Sequence, residues 1–288
     1  MRIVITGAQG QLGADLQQTL RGHQVTALDL PTFNLTDPDC GRVIAEAEPE
    51  VVIHAGAYTD VDGAERNPAL AMAINAEGTE RVARAAGQTG ARLIYISTDY
   101  VFDGRGSRPY TETDATNPIS VYGESKRAGE LQALAGCNNT LVIRTAWLYG
   151  RQGKNFVKTI LQLAAERPCL KVVGDQRGCP TFAEDLAGMI GNLIAHPAQG
   201  ILHVTNEGDC TWHEFASEIV RLSGLPVPVE PIMTADMPRP AKRPAYSVLS
   251  PGRLRQLGFR MPAWQDGLLR FVNVPPRAPQ NRIPSFAS

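Results

Sequence analysis

The chain has 288 residues, of which 43% are hydrophobic, and a formal net charge of -1. This length and apolar content suffice for a large core, so we expect one large α/β domain, or one with an added lobe. A charge so close to zero, without long runs of one sign, offers no surface for nucleic acid or an anionic membrane. The cysteines lack CxxC or metal-ligand spacing, and we find no signal peptide or apolar run of roughly 20 residues, so we expect a cytoplasmic protein.

Short β-branched runs alternate with longer helical stretches in the first half of the chain. This pattern is typical of a parallel sheet with crossover helices. Helices are predicted to begin near Gln11, Asp39 and Pro68, the last reaching about Ala86, and a further helix spans about 121–134, which Gly136 can end. The predicted strands are 2–6, 24–28, 51–54, 93–97 and 140–145. We therefore predict a Rossmann-type, doubly wound parallel sheet over residues 1–150.

The pattern changes after Gly150. Recurrent prolines between 225 and 244 exclude long regular elements there. We interpret 151–273 mainly as a smaller C-terminal substrate-binding lobe, with some segments returning to the sheet. Residues 274–288, rich in Pro, Arg, Asn and Ser, are predicted to be a flexible tail. The predicted elements of the lobe are helices at 155–166, 182–195 and 211–223, and strands at 170–173 and 200–204.

A glycine-rich turn, residues 7–13 (GAQGQLG), follows the first predicted strand and opens the first predicted helix. Gly7, Gly10 and Gly13 lack a Cβ where backbone N–H groups must approach a pyrophosphate, which then lies at the helix N-terminus. Because the turn has this strand and helix around it, it indicates a dinucleotide site.

Asp29 follows the next predicted strand and can accept hydrogen bonds from an adenosine ribose. Its charge would repel a 2′-phosphate and favours NADH, although a nearby cation can restore NADPH binding. A run of small residues follows the third strand and leaves room for a cofactor at the carboxyl ends of the strands, unless it is an ordinary turn. These small residues are Ala55, Gly56 and Ala57.

Tyr122 and Lys126 lie four residues apart and therefore face one side of a predicted helix. A neighbouring ammonium and a positive nicotinamide would lower the phenol pKa from about 10 toward the working range. Thr98, at the end of a strand, can hydrogen-bond the carbonyl oxygen that Tyr122 protonates. These residues predict carbonyl or alcohol redox chemistry. Asn75 has two interpretations, a holder of a relay water or a surface asparagine.

Several segments together resemble the dTDP-4-dehydrorhamnose reductases, a family of extended short-chain dehydrogenases/reductases. The resemblance covers about residues 1–270. It implies a reductase that uses NADH or NADPH to reduce the C4 ketone of a dTDP-sugar, with Tyr122 as proton donor. The segments that carry it are 57–65, 97–104, 121–130, 144–149 and 175–181.

The resemblance also implies roles for individual residues. Thr98, Tyr122 and Lys126 would be catalytic. The cofactor would contact Gly7, Gly10, Gln11, Leu12, Gly13, Asp29, Asn34, Leu35, Ala55, Gly56, Ala57, Tyr122 and Lys126. The substrate would contact Thr98, Asp99, Trp147, Asn155 with Phe156, and Arg243.

Some of these residues have a second interpretation. Trp147 could cap the core instead of forming a flat wall for the sugar, and Arg243 could be a solvated loop charge. The subunit state is open, with a homodimer as one expectation. Glu184 and Asp185 could hold Mg²⁺ at a subunit contact, or simply complement the N-terminus of a helix.

Three rival functions use the same scaffold. Nucleotide-sugar dehydratases need an acid/base pair after the threonine, typically Asp-Glu, whereas Asp99 is followed here by Tyr100. Epimerases usually carry small residues at that point. The regulatory subunit of methionine adenosyltransferase resembles the family and binds a partner without catalysis, so the fold alone does not decide the function.

Overall fold

The strands of the protein build one large sheet and several short ribbons. A computed structural model describes residues 1–273. The central sheet has six parallel strands in the order β10-β5-β4-β3-β1-β2. The strands are β1 (Arg2–Thr6), β2 (Gln24–Leu28), β3 (Val51–His54), β4 (Arg92–Thr98), β5 (Thr140–Thr145), β6 (Leu148–Tyr149), β7 (Leu170–Val173), β8 (Arg177–Gly178), β9 (Thr181–Phe182), β10 (Gly200–His203), β11 (Cys210–Thr211) and β12 (Val229–Ile232).

Helices cover both faces of this sheet and form the layer around it. Short 3₁₀ turns follow β4 and β12, at Asp99–Val101 and Thr234–Asp236. The helices are α1 (Gln11–Thr19), α2 (Cys40–Glu46), α3 (Val61–Arg66), α4 (Pro68–Met72), α5 (Gly78–Thr89), α6 (Val121–Gly136), α7 (Phe156–Glu166), α8 (Ala183–Leu193), α9 (Trp212–Ser223), α10 (Gly252–Gln256) and α11 (Trp264–Asn273).

Alternate side chains of β1 enter two different cores, because successive residues of a strand point to opposite faces. Ile3 and Ile5 pack with residues of α1 and α8 on one face. Val4 packs with residues of α2, α5 and α6 on the other. Sequence therefore predicted the doubly wound parallel sheet correctly. The strand β10, from the second half of the chain, extends the sheet beside β5.

A third core lies in the second half of the chain and joins α7, α9 and α11. Its centre is aromatic, because Tyr149 stacks on Phe182 at 5.5 Å and lies equally close to Phe215. The strand β12 pairs in parallel with β7 despite Pro231. This four-residue strand fits the expectation that prolines prevent long elements in this region.

The predicted helix from Pro68 to about Ala86 is present, but it is not α-helical throughout. A π-helical turn, Ala73–Glu77, separates α4 from α5. The extra residue lets the Asn75 carbonyl approach α6, where a Cβ on Gly129 would lie 2.3 Å from that oxygen. The periodicity of small apolar residues does not reveal such an insertion.

The helix α6 is joined to the sheet by a buried ion pair. Arg144 of β5 donates two hydrogen bonds of 2.7 Å to the Glu130 carboxylate, and both side chains are at most 1% exposed. Ser97 of β4 donates a further bond of 2.7 Å to Glu130. Since Glu130 lies one turn beyond Lys126 and two beyond Tyr122, this pair sets the rotation of the helix face that carries both.

Replacing Glu130 tests how strongly this pair holds the fold. We expect Glu130→Ala to lower the free energy of unfolding by about 3–5 kcal/mol, because Arg144 then stays buried without its partner. Urea denaturation measures the loss. The control is Glu80→Ala, which breaks an exposed pair with Arg84 and should cost less than about 1 kcal/mol. Equal losses in the two variants would contradict this account.

No helix within residues 1–273 has both the length and the apolar character that crossing a membrane requires.

Candidate active site

The glycine turn after β1 lies in backbone contact with the small-residue loop after β3. Gly7 has a φ of 70°, and a Cβ there would lie 2.5 Å from the Gly56 nitrogen. A Cβ on Gly13 would lie 2.2 Å from the Gly7 oxygen. A side chain at Gly7 would push the two loops apart, and one at Gly13 would push α1 away from the turn, so the fold itself requires both glycines.

This turn opens on the N-terminus of α1. Gly10 precedes the helix, and the first N–H groups of a helix have no acceptor within it. Such an end attracts anions, as a pyrophosphate site requires. The Leu12 side chain is only 4% exposed and belongs to the core, so only its backbone can contact a ligand. Gln11 accepts a hydrogen bond of 3.1 Å from Asn155.

Asp29 lies beside the same turn, at the end of β2. Its carboxylate accepts hydrogen bonds from the backbone nitrogens of Gln9 (2.7 Å) and Leu30 (2.8 Å). Asn34 is exposed and accepts bonds from the backbone and hydroxyl of Thr36. A Cβ on Gly56 would lie 3.1 Å from the Leu35 side chain. Asp29 therefore borders the glycine turn and Leu35 borders the loop after β3, whereas the bonds that Asn34 accepts from Thr36 stay within its own segment.

The predicted catalytic residues meet at the carboxyl end of β4. The Lys126 ammonium donates a hydrogen bond of 2.7 Å to the Ile96 carbonyl and lies 4.3 Å from the centre of the Tyr95 ring. Thr98, the last residue of β4, lies near enough to Tyr122 for its hydroxyl to favour ionisation of the phenol. One strand end thus gathers a phenol, a hydroxyl and an ammonium.

Local contacts explain why α6 begins where it does. Ser120 caps the helix by accepting a bond from the Gly123 nitrogen, and Glu65 of α3 accepts one from the Val121 nitrogen at 2.9 Å. A Cβ on Gly123 would lie 2.3 Å from the Tyr100 carbonyl oxygen. The glycine therefore allows the helix to touch the turn after β4, which brings Tyr122 close to Thr98.

Burial changes the ionisation of both groups on α6. It raises the pKa of the Tyr122 phenol to about 12, against the effect of the Thr98 hydroxyl. It lowers the pKa of Lys126 to about 7, against the favourable charge of Glu130. In the protein without cofactor, desolvation of the phenol therefore outweighs the neighbouring groups, and the lowering of the phenol pKa by Lys126 together with a positive nicotinamide stays a prediction.

Asn75 is 1% exposed, so the interpretation as a surface residue is wrong. Its amide donates to the Tyr58 carbonyl (3.0 Å) and to Ser125 of α6 (2.9 Å), and accepts from the Tyr58 nitrogen (2.8 Å). The π-helical turn aims this side chain inward. Asn75 thus joins the loop after β3 to the helix of Tyr122.

Trp147 has an unusual backbone conformation, with a φ of 47°. Its ring stacks on Trp212 with centres 3.5 Å apart, and a Cβ on Gly178 would lie within 2.6 Å of the indole nitrogen. Since the indole is partly exposed and packed on the third core, it can both cap that core and present a flat wall to a ligand.

A cavity of about 760 Å³ lies between α7, β7, the first residue of α9 and the segment after β12. Phe156 and Trp212 supply aromatic walls. The basic residues of the lining are Lys171, Arg239, Lys242 and Arg243. Sequence analysis missed Trp212, Lys171 and Arg239, because no motif marks them and they meet only in the folded chain.

Arg243 is not a solvated charge. Its guanidinium forms two hydrogen bonds with Asp62 of α3, at 3.1 and 2.9 Å, and its side chain is 14% exposed. Asp62 also lies 3.6 Å from Arg239. This carboxylate holds two arginines at the cavity wall, and the paired Arg243 lowers the pKa of Asp62 against the effect of burial.

Four of the predicted substrate residues, Thr98, Asp99, Trp147 and Asn155, are not among the residues that line this cavity. Asn155 caps α7 and donates to Gln11 and to the Gly150 carbonyl, so it lies beside the glycine turn. Asp99 is 1% exposed, and its carboxylate accepts from Thr98 (3.1 Å) and Ser247 (2.5 Å). Asp99 therefore lies behind Thr98.

Glu184 and Asp185 are engaged by arginines. Arg270 donates two bonds of 2.7 Å to Asp185, and Glu184 lies 3.8 Å from Arg151 and 4.0 Å from Arg270. Residues 1–273 contain no group of three or more His, Cys, Asp or Glu side chains arranged to hold a metal. The arginines explain both acids, and the expectation of Mg²⁺ there finds no support.

Known proteins resemble the chain over almost its whole length. A family model described as the RmlD substrate binding domain matches residues 1–275. A dTDP-4-dehydrorhamnose reductase of Streptomyces griseus is 45% identical over 269 residues, 90% of this chain and 88% of the relative.

Solved structures agree. The dTDP-4-dehydrorhamnose reductase of Clostridium acetobutylicum has a TM-score of 0.93 at 42% identity, covering 95% of this chain and 99% of that one. The Bacillus anthracis enzyme, solved in complex with NADP, has a TM-score of 0.91 at 43% identity, covering 94% and 98%. The chain therefore belongs to the dTDP-4-dehydrorhamnose reductases.

Proposed function

We propose that this reductase converts the C4 ketone of dTDP-4-dehydro-L-rhamnose to the alcohol of dTDP-L-rhamnose, with Tyr122 as proton donor. The observation that carries the proposal is the placement of Thr98, Tyr122 and Lys126 around the last three residues of β4. Two hydroxyl donors suit a carbonyl oxygen that gains negative charge as the reaction proceeds.

The cofactor is a nicotinamide dinucleotide, and the residues in front of the glycine turn suit one. The N-terminus of α1 would hold the pyrophosphate, and Asp29 the adenosine ribose. Lys126 would hold the nicotinamide ribose. The Bacillus anthracis relative was solved with NADP, whereas Asp29 favours NADH, so the proposal includes NADPH and NADH.

The basic cavity supports a nucleotide-sugar substrate. Arg239, Lys242 and Lys171 offer positive charge to a diphosphate, while Phe156 and Trp212 offer flat apolar surface to a base. Trp147, stacked on Trp212, would face the sugar. Thr98 would contact the ketone, and Arg243, held by Asp62, would complete the charged wall.

When bound, the reduced nicotinamide supplies the hydride for C4. The Tyr122 O–H donates its proton to the ketone oxygen, so the C=O bond becomes a C–OH group and the phenol is left as phenolate. The Lys126 ammonium then stabilises that phenolate, and protons from solvent restore the phenol. Thr98 orients the ketone oxygen throughout. A raised phenol pKa keeps Tyr122 protonated at neutral pH, ready to act as the acid.

Dehydration and epimerisation fit the residues of this site less well than ketone reduction does. A dehydratase needs a second acid/base group beside Asp99, typically a glutamate, and this chain has Tyr100 at that position. A role as a partner-binding subunit predicts a well-folded chain that does not oxidise NADPH or NADH when offered a 4-keto-6-deoxy nucleotide sugar.

The variant Tyr122→Phe tests the proton donor. We expect kcat to fall by about 10²–10⁴-fold, because one proton-transfer interaction is removed from the transition state. Cofactor affinity should stay within about twofold of wild type. Absorbance at 340 nm measures turnover, and fluorescence titration measures affinity. Tyr110→Phe is the control, since this phenol contacts Asp103 and Gly106 outside the site. Near-normal turnover in Tyr122→Phe would refute the assignment.

The variant Asp29→Ala tests the ribose contact. Removing the carboxylate should raise the ratio of kcat/KM for NADPH to that for NADH by about tenfold, since a repulsion worth about 1.4 kcal/mol disappears. Steady-state kinetics with each cofactor measure this ratio. Asp37→Ala serves as a control on the same loop. If the ratio stays constant, Asp29 does not face the 2′ position.

A further inference from the structure

The carboxyl group of Asp99 is buried in an unusual way. It is 1% exposed, and within residues 1–273 it forms no ion pair. Its side-chain partners are two hydroxyl groups: Thr98 lies 3.1 Å from Oδ1 and Ser247 lies 2.5 Å from Oδ2. Hydroxyl groups can donate or accept, so each can bond to an ionised or a protonated carboxyl, and as donors they favour the ionised form.

The Thr98 hydroxyl has a single hydrogen for two competing acceptors. Its oxygen already accepts a bond from the Tyr100 nitrogen at 3.2 Å. The hydrogen can then point to Asp99 or to the side of Tyr122, where the ketone oxygen would lie. An ionised Asp99 carboxylate can only accept hydrogen bonds, so it turns the Thr98 hydrogen away from the ketone oxygen.

We propose that Asp99 is a positioning residue whose protonation sets the direction of the Thr98 hydroxyl. In the protonated form the carboxyl donates to Thr98 Oγ1, which frees the Thr98 hydrogen for the substrate ketone. When Asp99 is ionised, the Thr98 hydroxyl keeps donating its hydrogen bond to the Asp99 carboxylate. This inference rests on the proposed role of Thr98 in ketone reduction.

The surroundings make such a switch possible near neutral pH. The groups that face Asp99 are Tyr100 on its own turn, Tyr122 from α6, Cys179 after β8 and Ser247 from the C-terminal segment. None of these carries a positive charge. Burial therefore raises the pKa of Asp99 to about 6, while the bonds from Ser247 and Thr98 oppose the rise.

The pKa of Asp99 sets the direction in which pH changes the Thr98 hydroxyl. Asp99 is protonated below about pH 6 and ionised above it, so the fraction with a free Thr98 hydrogen falls as pH rises. Ser247 belongs to the segment that supplies Arg239, Lys242 and Arg243 to the cavity wall. The hydrogen bond from Ser247 to Asp99 thereby connects this segment of the cavity wall to the end of β4.

Infrared difference spectra test the ionisation without substrate. Wild type minus Asp99→Asn should contain the carbonyl band of a protonated carboxyl, which disappears with a midpoint near pH 6. Ser247→Ala and Thr98→Val should each move this midpoint upward, since each removes a bond that stabilises the ionised form. A midpoint at the ordinary value of about 4, or one that neither variant moves, would overturn the proposal.

The pH dependence of kcat/KM tests the consequence. Above the midpoint, wild type should lose activity by up to about tenfold per pH unit, following the protonated fraction. Asp99→Asn should lack this decline, because its amide donates to Thr98 at every pH, and Ser247→Ala should shift the decline to higher pH. The titration of Lys126, with a pKa of about 7, contributes equally to all variants. An unchanged decline in Asp99→Asn rejects the switch.

Two controls separate this inference from the proposed function. Ser217→Ala removes a hydroxyl that bonds within α9, and should leave both midpoint and profile unchanged. If wild type reduces no 4-keto nucleotide sugar, the proposed function fails. The infrared midpoints of Ser247→Ala and Thr98→Val then still decide whether Asp99 titrates through these two hydroxyls.

Discussion

The buried bond between Glu130 and Arg144 is the interaction on which the candidate site depends. Two bonds of 2.7 Å connect the middle of α6 to β5, out of contact with solvent. Charges buried in this way tolerate little displacement, because each would otherwise lose its partner in a medium of low dielectric. The helix face is therefore held in one rotation, and Tyr122 and Lys126 share it. The same carboxylate favours the Lys126 ammonium against the cost of burial.

Close backbone contacts complete the site around this helix. Gly7, Gly123 and Gly129 each lie where a Cβ would come within 2.6 Å of a neighbouring backbone atom. These contacts bring the glycine turn to the loop after β3, α6 to the turn after β4, and the π-helical turn to α6. The catalytic side chains therefore come together because these glycines, which have no side chain, let the backbone segments lie so close. A hydrogen bond between Asn75 and Ser125 further joins the π-helical turn to α6.

Several features were predictable because they follow from local patterns. The strands of the sheet, the glycine turn and the i, i+4 pair of Tyr122 and Lys126 depend on short-range periodicity, and all are present as expected. The phenol pKa was not predictable. It depends on desolvation, which only the packing around α6 defines. The positions of Asn155 and Asp99 also escaped prediction, because a motif identifies a residue without showing which neighbour its side chain meets.

The amino-acid sequence by itself determined the parallel α/β sheet, the dinucleotide turn and the types of residue available for proton transfer. These depend on hydrophobic period, on glycine and on side-chain chemistry, all of which are local properties of the chain. The tertiary structure alone decided that Arg243 pairs with Asp62, that Trp147 stacks on Trp212, and that Ser247 reaches Asp99. Each of these contacts joins residues 65 to 181 positions apart, and no local pattern encodes such a pairing.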